Sequence, residues 1–153
     1  MEIIAYEMKY ENDVIETDHG IECVLFDETY FQEYRNVYNE CFYEMRKVLG
    51  VEPYNYLHDY GQIREKAEDI YLLIIEGEIV GSVACYGNEV DDLIVNKKFQ
   101  HQGYGKKLLL WAMQKIRKES HEPITLHVAE WNQNALKLYR TVGFEISKKI
   151  KVR

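Results

Sequence analysis

Three groups of residues in this chain have the types and spacing to do chemistry. The first is NKKFQHQGYGKK, Asn96 to Lys107, where Gly103 and Gly105 flank a tyrosine between a strand-like run and a helix-like run. Glycines at that junction let backbone amides face an anion at the start of a helix. The second is the run EVDDLIV, where Glu89, Asp91 and Asp92 crowd a segment that otherwise reads as a buried strand and so need a reason to be there. The third is Tyr139, on the apolar face of a second glycine-terminated helix. A dinucleotide-binding turn would need a third glycine where Leu108 stands, and a P-loop would need serine or threonine after the lysine that follows Gly105. Taken alone, the segment could equally be a tight turn.

The elements that must position these groups follow from periodicity. MEIIAYEMKY and IECVLFD read as strands separated by a polar loop. Tyr34, Tyr38, Cys41, Met45 and Val48 recur at four- and three-residue steps and predict a helix ended by Gly50. Pro53 predicts a second, short helix reaching Lys66. IYLLIIEGEIVGSVACYG predicts a hairpin turning at Glu76 and Gly77, and EVDDLIV a further strand with Glu89, Asp91, Leu93 and Val95 on one face and Val90, Asp92 and Ile94 on the other. Leu108, Leu109, Ala112, Met113 and Ile116 give a helix, ITLHVAEW a strand, NQNALKLYRTVGF a helix capped by Asn132, and FEISKKIKV a last strand. The class is α/β, a single domain over residues 1–153 with a central mixed, twisted sheet flanked by about four helices.

A net charge of -7 opposes nonspecific binding to nucleic acid or anionic membranes. Cys23, Cys41 and Cys85 are odd in number and widely spaced, which fits reduced thiols rather than a disulfide framework or zinc site; no metal is expected. No apolar run approaches the roughly 18 residues of a membrane span, and the expected compartment is the cytoplasm.

LIVNKKFQHQGYGKKLL and VAEWNQNALKLYRTVGF together resemble the two hallmarks of the GNAT superfamily of N-acetyltransferases. Gln100, Gly103 and Gly105 occupy the places of its coenzyme A loop, and Asn132, Ala135, Tyr139, Gly143 and Phe144 those of its second motif. The resemblance implies a GNAT-like fold with splayed parallel strands and acetyl-CoA as acyl donor. It implies that amides of Gln102 through Lys106, with His101, Gly103, Tyr104 and Gly105, hold the pyrophosphate while Gln100 braces the loop. Lys98, Lys106 and Lys107 are further candidates for nucleotide phosphate contacts. The backbone of Leu93, Ile94 and Val95, with Asn132, would receive the thioester and pantetheine arm, Leu93 serving as oxyanion donor. Tyr139 would protonate the departing thiolate, and Asp91 or Glu89 would act as base, with Asp92 a substrate contact.

The expected reaction is acetyl transfer to a primary amine by direct attack in a ternary complex. VAEWN with Asp91 also resembles diamine acetyltransferases, which points to a small cationic amine or polyamine; a protein N-terminus, an aminoglycoside and an amino acid stay open. Tyr54, Tyr56 and Tyr60 are the substrate-binding candidates, since aromatic faces with nearby carboxylates suit a cation. A non-catalytic acyl-CoA-binding or regulatory module is the alternative. Many family members end in a strand pair, whereas only ten residues run from Phe144 to Arg153. The N-terminal MEIIAYEMKY, or the neighbouring subunit of a homodimer, can complete the sheet.

Overall fold

A computed structural model describes residues 2–16 and 20–153. Among the described residues the seven strands are β1 (Ile4–Tyr10), β2 (Val24–Leu25), β3 (Ile70–Ile75), β4 (Glu78–Tyr86), β5 (Glu89–Val95), β6 (Ile124–Ala129) and β7 (Glu145–Lys151). They form one mixed sheet in the order β2-β3-β4-β5-β6-β1-β7. Three α-helices cover it: α1 (Phe31–Leu49) on one face, and α2 (Tyr104–Arg117) and α3 (Gln133–Val142) on the other. Each face has its own apolar cluster, and β4, buried along nearly its whole length, contributes to both.

Local chemistry accounts for most of these elements. Gly50 ends α1 in the left-handed region at φ 68°, its amide donating to the carbonyls of Arg46 and Lys47. Glu76 and Gly77, both at positive φ, make the two-residue turn between β3 and β4 that matches strand twist. Gly81 is where α2 meets the sheet. A Cβ there would lie 2.6 Å from Leu108 Cδ1 and 2.7 Å from the Ile94 carbonyl, so only glycine lets the helix sit this close.

The N-terminal strand completes the sheet. β1 runs antiparallel to both β6 and β7, inserted between them, and β7 becomes an edge. Lys148, Lys149 and Lys151 lie along that edge strand, a placement that discourages pairing with another sheet.

Two expectations need correction. There are three α-helices among the described residues, not about four: residues 51–69 contain only single 3-10 turns at Tyr60–Gln62 and Ala67–Asp69. Side chains there satisfy the backbone in place of a helical ladder. Asn39 of α1 accepts from Leu57 N–H at 2.9 Å and donates to its carbonyl at 2.8 Å, while Asp59 and Gln62 form a capping box. Of the buried anchors, Ile63 and Ala67 lie four apart, but the six-residue step from Leu57 to Ile63 breaks the helical repeat.

The second correction concerns β5, which does not alternate strictly. Opposite β4, Ile94 pairs with Ser82 but Asp91 with Ala84, so Asp92 and Leu93 together face Val83. This is a β-bulge, with Asp92 at φ 45°. Val90 and Leu93 therefore pack toward α2 and α3, while Ile94 joins the cluster under α1.

Candidate active site

β5 and β6 are parallel neighbours that stay paired only where they start. Their register holds at Glu89 opposite Thr125, with Thr125 N–H donating to the Asn88 carbonyl at 2.9 Å. Beyond that point they splay, and two clefts open between them. The outer one, about 360 Å³, runs from the glycine loop along α3. The inner one, about 220 Å³, lies under Phe42 and Met45 of α1. Leu93, Asn132 and Tyr139 line both.

The outer cleft gathers Leu93, Val95, Gln100, His101, Gly103, Tyr104, Gly105 and Asn132 of the sequence-predicted residues. Its loop is held open by two left-handed residues, His101 at φ 66° and Gly103 at φ 86°. The first amide of this turn to find a carbonyl is that of Lys107, which donates to Gly103 O at 3.3 Å. The amides before it form the electropositive start of α2. Gln100 braces the loop through its side-chain amide, which donates to the Val95 carbonyl at 3.0 Å; Cys41 Sγ approaches the same oxygen at 3.2 Å. That carbonyl is engaged, so what Val95 can offer a ligand is its N–H. Asn96 N–H donates to the Val80 carbonyl at 2.9 Å, and ladder alternation turns the adjacent amide of Val95 the other way, into the split.

Other predicted residues fall outside this cleft. Ile94 is buried on the α1 face, and Lys106 pairs with Glu16 at 3.6 Å. Gln102 is exposed beside the loop. Lys98 is turned to Glu78 at 2.6 Å, and Lys107 lies over the Tyr104 ring at 5.7 Å. The loop therefore presents amides more than ammonium groups. Phe99, Tyr104, Ala135 and Leu138 supply apolar walls for an extended thiol arm, so the cleft fits a pyrophosphate joined to such an arm.

The inner cleft holds Asp91, Asp92, His127 and Tyr139. Tyr139 is almost wholly buried, packed edge-on to Phe144, and burial, with Asp91 nearby, pushes its phenol up to about 12. It stays protonated across the physiological range. Asp91 is exposed and accepts from the Asp92 amide at 2.8 Å. Burial and then the Asp91 charge push the Asp92 carboxyl up to about 7, while Lys66 works in the opposite direction. Burial and then the Asp92 charge raise the phenols of Tyr34, Tyr38 and Tyr86 above their ordinary range.

Tyr54, Tyr56 and Tyr60 line neither cleft. Tyr54 packs edge-on to Tyr43, Tyr56 lies under the Arg46 guanidinium at 4.5 Å, and Tyr60 stacks on Phe26. The sequence reading missed His127 and the α1 residues Phe42 and Met45. His127 was detectable as the one titratable side chain inside the apolar run ITLHVA, on the face opposite Leu126 and Val128. Among the described residues no helix is long and apolar enough to cross a membrane, and no three His, Cys, Asp or Glu side chains converge as a metal site requires.

Comparison with known proteins agrees with this geometry. The Acetyltransferase (GNAT) family matches residues 31–144. The chain is 32% identical over 95 residues to an uncharacterized N-acetyltransferase in the pepI 3′ region of Lactobacillus delbrueckii subsp. lactis, covering 54% of this chain and 55% of that one. It is 24% identical over 137 residues to an uncharacterized N-acetyltransferase of Methanocaldococcus jannaschii, covering 82% and 58%. The chain thus spans little more than half the length of these relatives. An acetyltransferase from the GNAT family of Colwellia psychrerythraea shares the fold at TM-score 0.71 and 14% identity, over 95% of this chain and 53% of that one. Two hallmark motifs, a sheet split between parallel strands and a family match over most of its length place this chain in the GNAT acetyltransferase family.

Proposed function

We propose that this chain, as one N-acetyltransferase domain over residues 1–153, transfers an acetyl group from acetyl-CoA to a primary amine by direct attack in a ternary complex. The observation that carries the reading is Tyr139 at the junction of the two clefts, lining both. A donor entering from the glycine loop and an acceptor entering under α1 would meet there.

Each residue has a task in this reading. The loop amides of residues 102–106 hold the pyrophosphate, and Gln100 keeps the loop in register with β5. Leu93 lies at the bulge and lines both clefts, and its N–H is the donor for the thioester oxygen as it becomes an oxyanion. Asp91 or Glu89 removes a proton from the incoming ammonium, freeing the nitrogen lone pair. The C–N bond forms, the C–S bond breaks, and the thiolate takes the Tyr139 proton. Asp92, with Asp91 beside it and Phe42 of α1 lining the same cleft, binds the cationic acceptor, and a small cationic amine or polyamine suits that combination of carboxylates and an aromatic side chain.

Incubation with acetyl-CoA and a pooled panel of diamines, polyamines, aminoglycosides, amino acids and peptides, with free thiol monitored, tests this directly. Thiol release with the diamines or polyamines is expected. Tight acetyl-CoA binding with no turnover on any amine would replace this reading with a non-catalytic acyl-CoA-binding module.

A further inference from the structure

His127 on β6 sits between two carboxylates from different strands. Its Nδ1 is 2.9 Å from Glu89 Oε2 on β5, and its Nε2 is 3.8 Å from Glu7 Oε2 on β1. Glu7 is fixed in turn: the Ser147 hydroxyl donates to its Oε1 at 2.7 Å, and Lys9 Nζ lies 4.0 Å away. The chain of contacts therefore runs from β7 through β1 and β6 to β5, across the strands that bound the split. It ends on one of the two candidate bases.

The other carboxylates of β5 are placed differently. Asp91 uses an oxygen to accept the Asp92 amide, and Asp92 is the more buried of that pair. Glu89 itself lines neither cleft, but it is the one of the three whose partner is a side chain, His127, that lines the acceptor cleft. An Nδ1–H of His127 donating to one Glu89 oxygen orients the carboxylate and leaves the second oxygen to accept a proton.

We infer that His127 and Glu7 are positioning residues for Glu89 as the base, so that the N-terminal strand takes part in catalysis as well as closing the sheet. The inference rests on the acetyltransfer reading. In the step concerned, Glu89 takes one ammonium proton and later releases it to solvent. The second nitrogen proton, lost as the amide forms, restores the phenol of Tyr139 after the thiolate has taken its proton. The balance is one thiol, one amide and one released proton per turnover. Among the described residues, the charged and titratable groups around His127 are Glu89 on β5, Glu7 and Lys9 on β1, Lys148 on β7 beside Glu7, and Asp91, Asp92 and Tyr139 in the cleft.

The test compares His127→Ala, His127→Asn and Glu7→Gln with the parent across pH, using the amine found in the panel. Loss of one hydrogen bond to a charged group predicts a fall of about ten- to a hundredfold in kcat/KM for the amine in His127→Ala. The acidic limb of the pH profile should move to higher pH while acetyl-CoA affinity stays constant. His127→Asn, which keeps a donor near Nδ1, should recover most of the loss, and Glu7→Gln should move the same limb by a smaller amount. The inference is overturned if His127→Ala stays within twofold of the parent with its acidic limb unmoved. If His127→Ala does not fold, an unmoved limb in Glu7→Gln overturns it instead. A parent that binds acetyl-CoA but acetylates nothing removes the acetyltransfer reading and this one together, whereas an active parent with indifferent variants removes only this one.

Discussion

The outer cleft is lined mainly by one continuous stretch, residues 93–105, with residues 131–139 as its wall; the inner cleft is assembled from residues of α1, β5, β6 and α3. The difference has consequences for binding. Amides at a helix start recognise any pyrophosphate with little dependence on neighbouring side chains, whereas an acceptor site made from four separate segments is set by whichever residues those segments carry. Tyr139 belongs to both clefts and is the place to break the comparison most severely. Tyr139→Phe should lower kcat by about a hundredfold or more, the usual worth of a positioned general acid, while leaving acetyl-CoA affinity unchanged. Thiol release under saturating amine measures the first, and calorimetric titration with acetyl-CoA the second.

The same contrast explains what could be read from the sequence. Gln100, Gly103 and Gly105 lie within six residues, and their meaning depends on local conformation: a left-handed φ, a helix start, a brace to Val95. The amphipathic face of α2 and the glycine that ends α1 were legible for the same reason; the face expected on α1 was legible in part, since Val48 is exposed and Val37, outside that pattern, is buried. The bulge at Asp92 was not, because it is a mismatch in pairing with β4, and nothing in EVDDLIV by itself marks which residue is the extra one. The path of residues 51–69 depends on Asn39, some 18 positions earlier, and the His127–Glu7 approach on a strand at the other end of the chain. Side chains that meet only through topology leave no spacing to count.

The inner cleft can be sharpened through stability as well as turnover. With a carboxyl at about 7 against an ordinary 3.8, Asp92 binds a proton in the folded state, but not in the unfolded chain, between about pH 4 and pH 7. Folding stability from this group is therefore fully present below about pH 4, declines as pH rises through that window, and stays reduced above it. Asp92→Asn removes the penalty. Relative to the parent it should be unchanged near pH 4 and more stable at pH 8 by on the order of 2 kcal/mol, seen as a higher urea midpoint at pH 8 only. Equal effects at both pH values would mean that burial of the charge is not what sets Asp92 apart.

The outer cleft should respond to glycine geometry instead, and its two glycines should respond differently. Gly103 is at φ 86° with open space around the position a Cβ would take, so Gly103→Ala meets backbone strain and no clash. Forcing alanine into that region costs about 1–2 kcal/mol, enough to raise the acetyl-CoA KM by roughly tenfold if the loop relaxes and its amides turn away. Gly105 lies inside α2 in ordinary helical conformation, and an added Cβ would meet Leu138 at 3.6 Å and Val95 at 3.9 Å, both normal contacts. Gly105→Ala should therefore change KM by less than twofold and stabilise the helix by up to about 1 kcal/mol. If instead both substitutions weaken acetyl-CoA binding equally, close approach of the donor to the Gly105 backbone, and not the left-handed turn at Gly103, governs the loop.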